Sequence, residues 1–61
     1  MDPKDLRVND YYGYSEPPYG YMMVKYLGKN AMGRYVFSVE MPKGTRIELT
    51  EQQVRGMVIP A

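Results

Sequence analysis

Apolar and polar residues alternate with a period of two along most of this chain, the pattern of a half-buried β-strand. In residues 6–12 the apolar positions are Leu6, Val8 and Tyr12, with Asp10 interrupting, and the run predicts a first strand. Residues 13–20 carry Gly13, Pro17, Pro18 and Gly20; the prolines lack ladder donors and the glycines permit tight geometry, so a loop is expected there. Residues 21–27 predict a second strand, with Met22, Val24 and Tyr26 inward and Met23 and Lys25 outward. A turn-rich stretch, residues 28–33, leads to a third strand over residues 34–41. Its apolar face is Tyr35, Phe37, Val39 and Met41.

Residues 42–45, Pro-Lys-Gly-Thr, predict a tight turn, and residues 46–49 a fourth strand with Ile47 and Leu49 inward. Thr50 and Gln53 have the spacing of a capping box, in which each side chain satisfies the other's backbone N–H, so a helical turn should start there. Gly56, then Val58 and Ile59 before Pro60, end it and form a short closing strand. The expected core is Leu6, Val8, Met22, Val24, Phe37, Val39, Ile47, Leu49 and Val54. The fold class is therefore all-β, five strands with one short helical turn before the last, in a single domain covering residues 1–61.

This order, with its longest loop between the first two strands, resembles the SH3-like barrels, particularly the Tudor and KOW kind. The residues carrying the resemblance are the opening strand Leu6-Arg7-Val8-Asn9-Asp10, the run Gly33-Arg34-Tyr35-Val36-Phe37, and Leu49 to Val54 leading into the last strand. It implies a five-stranded barrel that binds at its rim, where aromatic side chains form a groove or cage; the matching positions are Tyr12, Tyr14, Tyr19 and Tyr21. Tudor-like cages add an acidic residue at a set position, and Glu16 does not align with it.

Composition narrows the functional classes. A chain of 61 residues buries only about 60% of its unfolded surface, and with no cysteine it has neither a disulfide nor a thiolate metal site. There is no histidine, no cysteine nucleophile and no phosphate-binding glycine loop, and the carboxylates are scattered. A non-enzymatic protein with no cofactor and no metal is expected. The start of the chain is polar and lacks the apolar run of a signal peptide or membrane span, so a cytoplasmic protein without membrane association is the default.

Five of the seven tyrosines fall between Tyr11 and Tyr21. Large rings can seal a thin barrel, which is the expectation for Tyr26 and Tyr35; alternatively Tyr14, Tyr19 and Tyr21 form a rigid contact patch of the kind enriched at protein interfaces. Met23 and Met32, both expected outside, would extend it. The leading expectation is a protein-binding or assembly module using this tyrosine-rich loop surface. A nucleic-acid-binding barrel is the alternative, with tyrosines stacking on bases and Lys25, Lys29 and Arg34 contacting phosphates, although a net charge of +1 does not itself argue for it. Two-fold self-association is a third, since a domain this small gains from burying an exposed strand edge or patch. Pro17-Pro18-Tyr19 is one residue short of the PPxY motif read by WW domains, so a rigid loop is expected there instead.

Overall fold

The computed structural model describes residues 1–16, 20–41 and 43–61. A 3-10 turn, Pro3–Asp5, precedes β1 (Tyr11–Glu16), β2 (Gly20–Lys29), β3 (Tyr35–Met41), β4 (Lys43–Leu49), the helix α1 (Glu51–Met57) and β5 (Val58–Pro60). All strand pairs are antiparallel, in one sheet of order β4-β3-β2-β1-β5. Among the described residues β4 and β5 do not pair with each other, so the sheet is open, and the barrel closure implied by the resemblance is not made by strand pairing. Between the two edges lies α1, which touches β4, β1, β5 and the 3-10 turn.

The capping box forms as its spacing requires: Gln53 N donates to Thr50 Oγ1 at 3.2 Å and Thr50 N donates to Gln53 Oε1 at 2.9 Å. It starts α1 at the residue that turns Val54 into the core. That core holds Tyr12, Tyr14, Val24, Tyr26, Tyr35, Phe37, Val39, Leu49, Val54 and Val58, with Phe37, Val24, Val54 and Val58 fully enclosed. The Tyr26 ring lies 5.1 Å from Phe37 and 6.3 Å from Tyr35, both in tilted arrangements. Leu6, Met22 and Ile47 are half-buried against this cluster.

The first strand lies five residues later than the sequence pattern places it. Residues 7–10 instead make a tight turn, in which Asp10 N donates to Arg7 O at 3.1 Å and Asn9 has the positive φ, 73°, that asparagine tolerates. Val8 sits in this turn, exposed, and not in the core. The expected loop over residues 13–20 is correspondingly shorter. Gly13 and Tyr14 pair with β2 on one side and β5 on the other, and Glu16 pairs with Gly20. Residues 17–19, including the expected proline loop, and Pro42 lie outside the described residues.

Register shifts account for the remaining differences. Met23 pairs with Met41 while Val24 pairs with Val39, leaving Glu40 as the extra residue of a bulge. Because side chains alternate, one extra residue reverses the face that follows, and Met41 is exposed outside instead of completing the inner face. In β4, Thr45 pairs with Val39 and Lys43 with Glu40, which leaves Gly44 as a second extra residue, its φ of 123° open only to glycine without strain. Lys43 to Thr45 are therefore strand and not turn.

Candidate functional site

Alternation along β1 sends Tyr12 and Tyr14 into the core, which leaves Tyr11, Gly13 and Ser15 on the opposite, outer face of the sheet. On β2 the same face carries Tyr21, Met23 and Lys25. The pairing then assembles two cross-strand rows. Ile59, Gly13, Met23 and Met41 follow one another across β5, β1, β2 and β3. Beside them, Tyr11, Lys25, Ser38 and Arg46 run across β1 to β4. With strands about 4.8 Å apart, the first row is about 14 Å long, and the second runs parallel to it about 7 Å away.

Gly13 is the keystone of the apolar row, because the Tyr21 ring lies directly over it. A Cβ at Gly13 would meet the ring's Cε2, hydroxyl oxygen and Cζ at 2.5, 2.7 and 2.8 Å. The diagonal neighbour across an antiparallel pair is within reach of an aromatic ring, and the missing side chain lets that ring lie against the backbone. One side of Tyr21 thus covers Gly13 while the residue stays 56% exposed. Tyr11, Met41 and Ile59 are 49%, 69% and 45% exposed, and Met23 is half-buried between them. At roughly 200 Å² per large side chain, these fractions make about 400 Å² of open apolar surface. The surface is open: no cavity is present among the described residues.

Charge borders this patch. The Lys25 ammonium sits 5.7 Å from the Tyr11 ring centre, a cation–π contact that holds it over the second row. Ser38 Oγ donates to Glu40 Oε2 at 2.8 Å. Inside the sheet, burial and then the neighbouring Glu16 carboxylate push the Tyr14 hydroxyl above the usual tyrosine range. The Tyr26 hydroxyl is raised in the same direction, first by burial and then by Tyr35 and Tyr12. The Tyr12 hydroxyl accepts the backbone N–H of Arg7 at 2.9 Å, tying the first turn to the core.

The residues expected to bind a partner therefore divide into separate places. Tyr12 and Tyr14 are 6% and 3% exposed and pack inside, so their rings are not on the surface assigned to them. Tyr19 lies outside the described residues. Tyr21 and Met23 come together on the outer face. Met32, 81% exposed, is in the connection between β2 and β3, at the far end of β2 from Tyr21. Arg34 is exposed in that same connection, and Lys29 enters it with its ammonium 5.1 Å from the Tyr35 ring centre. Lys25 stands apart from both, in the middle of the sheet face. Sequence reasoning missed Tyr11, Met41 and Ile59. Ile59 carried a signal, since alternation after Val58 sends it outward; Met41 carried none, because its bulge depends on the neighbouring strand. Comparison with known proteins finds no family model, no curated protein and no solved structure that matches this chain.

Proposed function

We propose that this chain is a small SH3-like domain of the Tudor and KOW kind, serving inside the cell as a non-enzymatic protein-binding or assembly module through the outer face of its sheet. The strand order, with a helix between β4 and β5, supports the fold reading. One observation carries the function: the solvent face of an antiparallel sheet is ordinarily polar, yet here it bears a continuous row of Ile59, Met23 and Met41 with Tyr11 and Tyr21 beside it. About 400 Å² of open apolar surface has the size of the centre of an interface, around which a polar rim completes the roughly 800 Å² that each side of a standard complex buries.

Met41→Lys tests this reading. At 69% exposure the substitution leaves the melting temperature almost unchanged. Proteins captured by the wild-type domain in its source cell should be lost from the Met41→Lys capture, as counted by mass spectrometry. Equal recovery with both baits would refute the reading.

A second reading has a specific observation behind it. Tyr11 and Tyr21 on an open sheet, with Lys25 beside the Tyr11 ring, also suit stacking by unpaired bases, with Lys29 and Arg34 as more distant phosphate contacts. Titration with single-stranded oligonucleotides at low salt tests it, and affinity weaker than about 10⁻⁴ M removes it.

A further inference from the structure

We infer that the occupant of the outer face is an acidic segment of a partner protein, with apolar side chains seated on the row from Ile59 to Met41 and Asp or Glu side chains reaching Lys25 and Arg46. The inference rests on the protein-binding reading above and deepens it. Its basis is the charge arrangement beside the apolar row. Lys25 and Arg46 flank Ser38 in one cross-strand row, and Lys43 stands opposite Glu40 on the edge strand. The ion pair found among the described residues is Arg55 with Glu51 on α1, so none of these three cations has a carboxylate within ion-pair distance. Of the acidic groups on the adjoining strands, Glu40 receives the Ser38 hydroxyl and Glu48 receives the Asn30 amide. These cations thus lie outside ion-pair distance of a carboxylate, and they outnumber Glu40 and Glu48 three to two, although both acids keep their negative charge while accepting hydrogen bonds from neutral donors.

The surplus among these groups is one positive charge, and Lys25, on the same strand and face as Met23, is the cation beside the apolar row, so charge complementarity there favours an acidic partner. The seats themselves distinguish peptide from nucleic acid. Ile59, Met23 and Met41 offer aliphatic and thioether surface, which accommodates Leu, Ile, Met or Phe anchors. Base stacking would use Tyr11 and Tyr21 and leave that row idle.

Selection of a random peptide library displayed on phage, with the immobilised full-length chain as bait, tests the inference. Enriched peptides should carry Asp or Glu beside one or more large apolar residues. A synthetic peptide of the enriched sequence should bind about tenfold more weakly after its acidic residues become Asn or Gln, the effect of two exposed charge pairs. Its affinity should also fall as salt rises. Selection on the Lys25→Glu/Arg46→Glu double variant should turn toward basic peptides, and Lys25→Gln/Arg46→Gln should lose charge preference, each variant being checked by its thermal melt. Enriched peptides that need Met41 but tolerate neutralisation of their acidic residues would overturn the acidic-segment inference and leave the protein-binding face standing. Peptides that bind Met41→Lys as well as wild type, or no enrichment at all, would overturn both. Oligonucleotide binding abolished by Lys25→Glu, without peptide enrichment, would replace both with the nucleic-acid reading.

Discussion

Gly13→Ala should change stability with a sign that depends on Tyr21. Gly13 lies mid-strand, outside the positive-φ positions, so alanine suits its backbone and taken alone should stabilise by about 0.5–1 kcal/mol through reduced unfolded-chain entropy. The ring of Tyr21 opposes this, because the new Cβ would stand 2.5 Å from its Cε2. Tyr21 is 56% exposed, so on the order of 90 Å² of a side chain of roughly 200 Å² is covered; at about 25 cal/mol per Å² its complete displacement costs at most about 2 kcal/mol. The net expectation is a loss of about 1 kcal/mol, or about 4–8 °C in Tm for a chain of this size. In a Tyr21→Ala background the obstacle is gone, and the same substitution should stabilise by about 0.5–1 kcal/mol. Urea unfolding of the four proteins of this double-mutant cycle, followed by far-UV circular dichroism, measures a coupling of about 1–2 kcal/mol. Equal stabilisation in both backgrounds would refute the placement of the ring on Gly13.

Four further outcomes are expected. Phe37, fully enclosed against Tyr26, should on conversion to alanine cost about 3–5 kcal/mol, comparable with the whole stability of so small a domain, and a dispersed amide NMR spectrum from that variant would contradict the core described here. Tyr14→Ala should likewise cost about 3 kcal/mol or more in urea unfolding while Tyr21→Ala costs much less; equal effects would contradict the inner and outer faces of the hairpin. Because Tyr14 and Tyr26 are raised above 10.0 in the fold, the unfolded chain loses these protons first, so their contribution is complete below about pH 10 and stability declines as pH rises above it. Two tyrosines ionising late at 295 nm, with a lower urea midpoint at about pH 11 than at about pH 9, would accord with this; a rising midpoint would not. Thr50→Ala removes half of the capping box and should lower stability by about 1 kcal/mol, read as a fall in Tm.

Much of the candidate site was hidden from one-dimensional patterning because the tyrosines from Tyr11 to Tyr21 are chemically alike. Tyr12 and Tyr14 differ from Tyr11 and Tyr21 only in the face toward which their strand turns them. Two prolines and two glycines in residues 13–20 suggested a loop, yet Gly13 is a strand residue whose missing side chain makes room for a ring from the neighbouring strand. That use of glycine depends on a residue eight positions away, and no local preference signals it.

What the sequence determined by itself was whatever depends on near neighbours along the chain. The alternation through Val24 and Tyr26, and through Tyr35, Phe37 and Val39, sets their shared inner faces, and the Thr50 and Gln53 spacing sets the start of α1. Tertiary structure decided the phase between strands. Whether Met41 lies inside or outside turns on the single extra residue, Glu40, that β3 accommodates against β2. The outer row exists because β5 pairs Ile59 with Gly13 while β2 pairs Met23 with the same glycine. A period of two makes every face conditional on register, and register is a property of paired strands.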